Sequence, residues 1–364
     1  MSLFLLIIAF IVSFLFSLFT LPKIILLSLE KKLFDSIGTR KVHKTVASRL
    51  GGVVFFPAIF LGISVSLALV NIHSPESLTS SQLIKYLLQI SAVLILYVVG
   101  VFDDLLGLKY RIKFIFQIIS ATLIITSGVY IDSFQGFLNI GDIPYYISLP
   151  LTTFLIVFIT NSINLIDGID GLSSLLSILA IFVYGILFIN KGTVIDSTFA
   201  ISTLGALIPF AVINIKGFRK RSHTKIFMGD GGTLVVGTIL SILAIKVWNL
   251  GATDYTTDEL YPITAFTMLL IPCFDVVRVV LRRARNRKPL FLPDRNHIHH
   301  KYIDLGLNPI QCLTYIQVQN VIFVALNFVM LHFLSLTEIV FIDILIWTLS
   351  HVIITRKIVK RNKK

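Results

Sequence analysis

Charge is scarce in this chain: Asp, Glu, Lys and Arg make up 14% of its 364 residues, against 55% hydrophobic ones. So little polar surface excludes a soluble domain with a solvated exterior, and the mean hydropathy of +0.89 indicates a polytopic membrane protein. Cysteine is nearly absent. Cys273 and Cys312 fall in or beside apolar runs, which excludes a disulfide framework and a cysteine-type metal spacing. The first apolar run, LFLLIIAFIVSFLFSLFTLP, lacks a basic segment before it and a small-residue cleavage site after it, so it is expected to be a retained span rather than a signal peptide. There is no heptad, no low-complexity tract and no inverted repeat of the kind many secondary transporters carry. One integral domain over residues 1–364 is the simplest organisation.

What is present is a series of apolar runs. Taking about 20 residues as the length of a spanning helix, runs near 3–28, 50–71, 83–102, 112–129, 148–163, 171–189, 198–214, 232–248, 262–281, 313–334 and 338–355 predict an all-α protein of about eleven transmembrane helices. The net charge of +13 raises nucleic acid as a partner, but basic residues in a membrane protein must first be sorted by side. With the N-terminus outside, 29 of the 32 Lys and Arg fall on inner segments, leaving Lys85, Lys191 and Lys246 near the opposite face. The positive-inside rule then places the C-terminus and the polar loops in the cytoplasm, and no nucleic-acid partner is needed. Between the fourth and fifth runs, YIDSFQGFLNIGDIPYYIS alternates around a Gly-Asp turn and predicts a small outer-face β-hairpin near 130–148.

Polar residues gather in the inner loops. NSINLIDGIDGL places Asn164, Asp167 and Asp170 between two apolar runs, where carboxylates mark function or cap the following helix. Asp103 and Asp104 end the third run; adjacent carboxylates repel, which suits a base or a cation site, or else a solvated pair neutralised by Lys109, Arg111 and Lys113. FMGDGGT opens the eighth run, where a glycine-rich helix start suits phosphate and Asp230 suits Mg²⁺ or a helix cap. In PDRNHIHH, Arg295, His297, His299 and His300 are donors to phosphate oxygens; zinc is the competing reading, though the spacing lacks the usual cysteine or carboxylate partner. The first inner loop ends in Arg-Leu-Gly-Gly, from Arg49 on, its only hint of a ligand contact.

Carboxylates with a carboxamide suit a hard cation, and glycine-rich helix starts and basic groups suit phosphates; together they suit phosphoryl transfer. The stretches RKVHKTVASRLGG, DDLLGLKYRIK, NSINLIDGIDGL, FMGDGGT and PDRNHIHH, in this order, resemble the polyprenyl-phosphate N-acetylhexosamine-1-phosphate transferase family. The resemblance implies transfer of a sugar 1-phosphate, N-acetylglucosamine first, from a UDP-sugar to undecaprenyl phosphate at the bacterial cytoplasmic membrane, with Mg²⁺ (or Mn²⁺) as cofactor. It assigns Asp103 and Asp104 as the essential acidic pair, Lys113 to a phosphate, and Asn164 and Asp230 to the metal. Asp167 and Asp170 go to nucleotide or metal, Phe227 to uracil, and the three histidines to the pyrophosphate and sugar. Thr-Val-Ala-Ser before Arg-Leu-Gly-Gly and Thr233 in FMGDGGT depart from the family's usual residues without removing a charge. The histidine pattern resembles the branch that starts surface glycans, with the muramoyl-pentapeptide branch of peptidoglycan synthesis as the alternative. An ion-coupled transporter and a glycolipid-binding scaffold compete from other classes, and the family includes dimers.

Overall fold

A computed structural model describes residues 2–31, 48–73, 79–216, 225–251, 258–289 and 296–362. They form α1 (Ser2–Glu30), α2 (Phe55–His73), α3 (Ser80–Leu106), α4 (Tyr110–Thr126), α5 (Tyr145–Ile166), α6 (Leu172–Asn190), α7 (Val194–Lys216), α8 (Gly229–Asn249), α9 (Leu260–Arg285), α10 (Ile298–Asp304), α11 (Pro309–Met330) and α12 (Leu336–Asn362). In lipid a helix satisfies its own backbone, which is why apolar runs of this length take that form. Among the described residues ten helices are long and apolar enough to cross a membrane. The protein is thus all-α and polytopic. Of the eleven expected spans, the one that falls short is α4, which is 17 residues long.

Local signals set several helix ends. Thr79 and Gln82 form a reciprocal capping box at the start of α3, and Asn308 and Gln311 form another at α11, with Pro309 in the first turn. Gly107, at φ +70°, ends α3 in the left-handed conformation that lets the chain turn sharply into α4.

The most enclosed helix is α8, packed against α3, α5, α6 and α9. Its small residues, among them Gly231, Gly232, Thr238 and Ser241, let neighbouring backbones come close, as membrane packing requires. On one side α1 packs on α2 and α7; on the other α11 and α12 border α9.

The two ends of the bundle differ. At one, Trp248 donates to the Ser133 carbonyl at 2.9 Å and Asn249 to that of Tyr130 at 2.8 Å, seating the 130–144 loop. That loop doubles back but forms only a single antiparallel bridge, Ser133 to Asp142, and a 3-10 turn at Phe137–Asn139. The segment thus doubles back as a hairpin does, with the Ile143 N–H donating to the Asp132 carbonyl and the Phe134 N–H to that of Gly141, but its cross-chain pairing is too short to form strands. Two of the three basic residues assigned to this end are accommodated there: Lys246 pairs with Asp196 at 2.5 Å, and the Lys191 ammonium lies 4.7 Å from the centre of the Tyr261 ring. At the other end lie the polar loops.

Candidate active site

Five elements bring their polar ends together. At the end of α3, the Asp104 carboxylate accepts from the backbone N–H of Asp230 at 2.9 Å and of Gly231 at 2.8 Å. It thereby caps α8 from a neighbouring helix, placing negative charge at the positive end of the helix dipole. Its neighbour Asp103 accepts from the Leu108 N–H at 2.6 Å and from Lys113 Nζ at 2.9 Å. The same ammonium reaches Asp230 at 2.6 Å, so Lys113 neutralises two carboxylates 127 residues apart in sequence at their furthest. From the end of α5, the Asn164 amide donates to Asp230 at 3.0 Å and to the Thr233 hydroxyl at 2.7 Å.

The glycines of FMGDGGT and Arg-Leu-Gly-Gly have a different use from the one expected. Gly52 backs onto Gly232 so closely that a Cβ on it would lie 2.1 Å from the Gly232 Cα, and the Gly52 N–H donates to the Met228 carbonyl at 2.8 Å. Gly229 stands at φ +69°, and a Cβ there would meet the Arg49 carbonyl oxygen at 2.0 Å. These residues let two stretches of backbone approach each other, and Asp104 takes the helix-start amides the sequence suggested for phosphate.

The NSINLIDGIDGL loop is held from several sides. Asp167 accepts a short hydrogen bond from Ser173, and burial, reinforced by Asp170 and Asp230, pushes its carboxyl up to about 7. Asp170 is buried and pairs with Lys225 at 3.2 Å; the Lys225 ammonium also lies 5.2 Å from the centre of the Phe227 ring. Asn214, near the end of α7, accepts from the Gly171 N–H at 2.5 Å and donates to the Ile226 carbonyl at 2.7 Å, tying this loop to the one before α8.

Of the histidines, His297 shares a hydrogen bond with Asp275 of α9 at 2.8 Å. Asp275 is fully buried and also accepts from Arg278 at 2.6 Å and from the Ile298 N–H at 3.0 Å. His299 lies against Gly168, where a Cβ would fall 2.1 Å from its Nε2; burial and the adjacent His300 pull it down to about 3, so it is neutral. The His300 ring centre is 4.1 Å from that of His299. Arg295 lies outside the described residues.

One cavity of about 270 Å³ joins these parts, lined by Asp104, Asn164, Asp167, Asp170, Phe227 and Asp230 of the expected set and by Arg49, Asn214 and Thr233. Asp103 and Lys113 stand behind this wall, Lys113 bridging Asp103 to Asp230, and His299 borders it through Gly168. Sequence reasoning missed Asp275 and Arg278, Asn214 and Lys225. The signal for the first pair was a carboxylate and a guanidinium three residues apart inside an apolar run; Asn214 likewise interrupts one. Lys225 was hidden among loop charges.

The cavity offers carboxylate, carboxamide and hydroxyl oxygens, with the Met228 thioether but no thiol or imidazole in its lining, a donor set dominated by hard oxygens. Among the described residues no three His, Cys, Asp or Glu side chains converge enough to enclose a metal by themselves. A divalent ion held by one or two carboxylates, in the manner of Mg²⁺, would leave the rest of its shell to water and substrate phosphate.

Residues 86–248 match the family model for glycosyl transferase family 4, a stretch running from α3 through α8 that holds every carboxylate lining the cavity. A Bacillus subtilis protein named probable undecaprenyl-phosphate N-acetylglucosaminyl 1-phosphate transferase is 29% identical over 304 residues, covering 83% of this chain and 78% of that protein. The undecaprenyl-phosphate alpha-N-acetylglucosaminyl 1-phosphate transferase of Yersinia pestis is 25% identical over 291 residues, 78% of this chain and 73% of its own. The protein of the same name from Escherichia coli K12 is 25% identical over 291 residues, 78% and 72%. In its five motifs, its helical membrane fold and this match, the chain is similar to glycosyl transferase family 4 over residues 86–248.

Proposed function

We propose that the protein transfers N-acetylglucosamine 1-phosphate from UDP-N-acetylglucosamine to undecaprenyl phosphate, at the cytoplasmic face of a bacterial inner membrane, as the first step of a surface glycan. The observation that carries this reading is the convergence of Asp104, Asn164, Asp167 and Asp230 with Arg49 on one cavity at a helix-bundle end. The names of the relatives support the sugar and the carrier. The excess of Lys and Arg in the loops at this end supports the side.

An oxygen of the lipid phosphate attacks the β-phosphorus of the donor; the bond from that phosphorus to the bridging oxygen breaks, and UMP leaves with the electron pair. Asp230 and Asn164 would hold Mg²⁺, which when bound spreads the charge of the pyrophosphate. Lys113 balances the carboxylates of Asp103 and Asp230. Arg49 offers a guanidinium to a phosphate, and Phe227 an aromatic face to the base. Both oxygens of Asp103 and both of Asp104 are already hydrogen-bonded, to Leu108, Lys113 and the start of α8. Neither is presented as a nucleophile, which favours direct attack over an aspartyl-phosphate. Catalysis is then a matter of positioning and preorganised charge.

The test is purified protein in lipid nanodiscs with undecaprenyl phosphate, UDP-N-acetylglucosamine and Mg²⁺, reading UMP and lipid-linked sugar. Equimolar products that vanish in Asp230→Ala are expected. Failure with every sugar nucleotide would sink the reading, and rapid-quench trapping of donor phosphate on the protein would exclude direct attack.

A further inference from the structure

Away from the catalytic cavity, a groove of about 1030 Å³ runs between α9 and α12, with Lys301 of α10 at its floor. Its lining shares no residue with the catalytic cavity. The walls are apolar and open outward: Leu281 is 63% exposed and Val359 50%. Toward the basic end the groove is rimmed by Arg282, Arg285, Arg356 and Lys360, and among the described residues no carboxylate pairs with any of the four. The floor carries two buried ring nitrogens without partners, Nε2 of His351 and Nε1 of Trp347. Both side chains are 4% exposed, and their rings lie 4.4 Å apart. Lys301 donates to the Thr355 hydroxyl at 2.9 Å; burial, with the guanidiniums of Arg278 and Arg282 near, pulls its ammonium down to about 8. Positive charge is thus in local excess above an apolar wall.

We propose that this groove binds an anionic phospholipid of the surrounding membrane, its phosphate among Arg282, Arg356 and Lys360 and an acyl chain along the walls toward Val352 and Val277. Basic pockets between helices recognise such headgroups, and a free anion would leave the apolar walls uncovered. Because the groove and the catalytic cavity are separate, a phosphate held here is not at the reacting position; the occupant is a resident lipid, distinct from the acceptor. Arg278 lines the groove and also grips Asp275, which fixes His297 and the start of α10. The bound lipid therefore braces the histidine segment from behind.

The experiment is native mass spectrometry of the full chain from phosphatidylcholine nanodiscs with or without phosphatidylglycerol, for wild type and for Arg282→Gln with Arg356→Gln. Wild type is expected to retain phosphatidylglycerol over phosphatidylcholine, with retention falling about 30-fold in the double variant as two headgroup charges are lost. Val352→Trp, which fills the groove without changing charge, is expected to lower retention as well, and circular dichroism in neutral discs confirms that each variant is folded. Equal retention by wild type and the folded variants overturns the proposal. So does displacement by inorganic phosphate, which would mark a simple anion site, or displacement by undecaprenyl phosphate at equal concentration, which would make the groove the acceptor's. None of these readouts depends on turnover, so the result stands apart from that of the transfer assay.

Discussion

Lys113 holds Asp103 and Asp230 together at 2.9 and 2.6 Å, and its removal leaves two partly buried carboxylates facing each other. Lys113→Met is expected to lower kcat/KM for transfer roughly 100-fold, close to the lower range for breaking a buried ion pair, with Lys113→Arg recovering part of it; both are read from UMP release. Asp275 touches no part of the cavity, yet it anchors His297 and the α10 backbone. Asp275→Ala is expected to cost about 3 kcal/mol by leaving the Arg278 charge and the His297 ring unpaired, seen as a lower thermal midpoint in detergent alongside lost transfer. The pH dependence of stability follows from two groups. Asp167, with a folded value near 7 against an ordinary 3.8, contributes stability fully present below about pH 4 and lost as pH rises through 7. His299, near 3 in the fold against 6.5, contributes stability present above 6.5 and lost as pH falls toward 3. In divalent-free detergent, Asp167→Asn should therefore raise the thermal midpoint at about pH 8 and leave it nearly unchanged at about pH 4; equal shifts at both would show that Asp167 is not the titrating group.

At the scale of elements, the junction of α2, α3 and α8 depends on glycine. A Cβ on Gly52 would fall 2.1 Å from Gly232, and one on Gly100 would fall 2.6 Å from the Gly231 Cα, so the helices can meet at this separation only without side chains. Gly52→Ala is expected to push the start of α2 off α8, displace Asp230 from Asp104, and reduce both folded yield and activity, as fluorescence-detected gel filtration and transfer assays would measure. Gly141→Ala, where nothing lies within 4 Å, is the control expected to be neutral. The same close packing explains why Asp104 can act as the cap of a helix that lies far from it in sequence.

For the whole molecule, alternation of the spans puts the ends of α3, α5, α7 and α9 on one face with the starts of α4, α6 and α8, and the 130–144 loop on the other. With Lys109→Cys and Gly141→Cys introduced separately in cells, a membrane-impermeant maleimide is expected to label only the second from outside. Labelling of the first would invert the orientation and remove the site from the cytoplasm.

Helix placement, the sorting of charge to one end and the gathering of Asp103, Asp104, Asn164, Asp167, Asp170 and Asp230 at helix ends on one face were legible in the sequence alone, because an apolar run of spanning length must satisfy its own backbone and charged residues are tolerated only at its ends. Which groups meet was not. That Lys113 bridges Asp103 to Asp230, that Asp104 caps α8, that glycines pack on glycines, and that Asp275 rather than a loop residue holds His297 was decided by how the helices pack. Those partners come from different helices, and local periodicity carries no record of which faces will touch across the bundle.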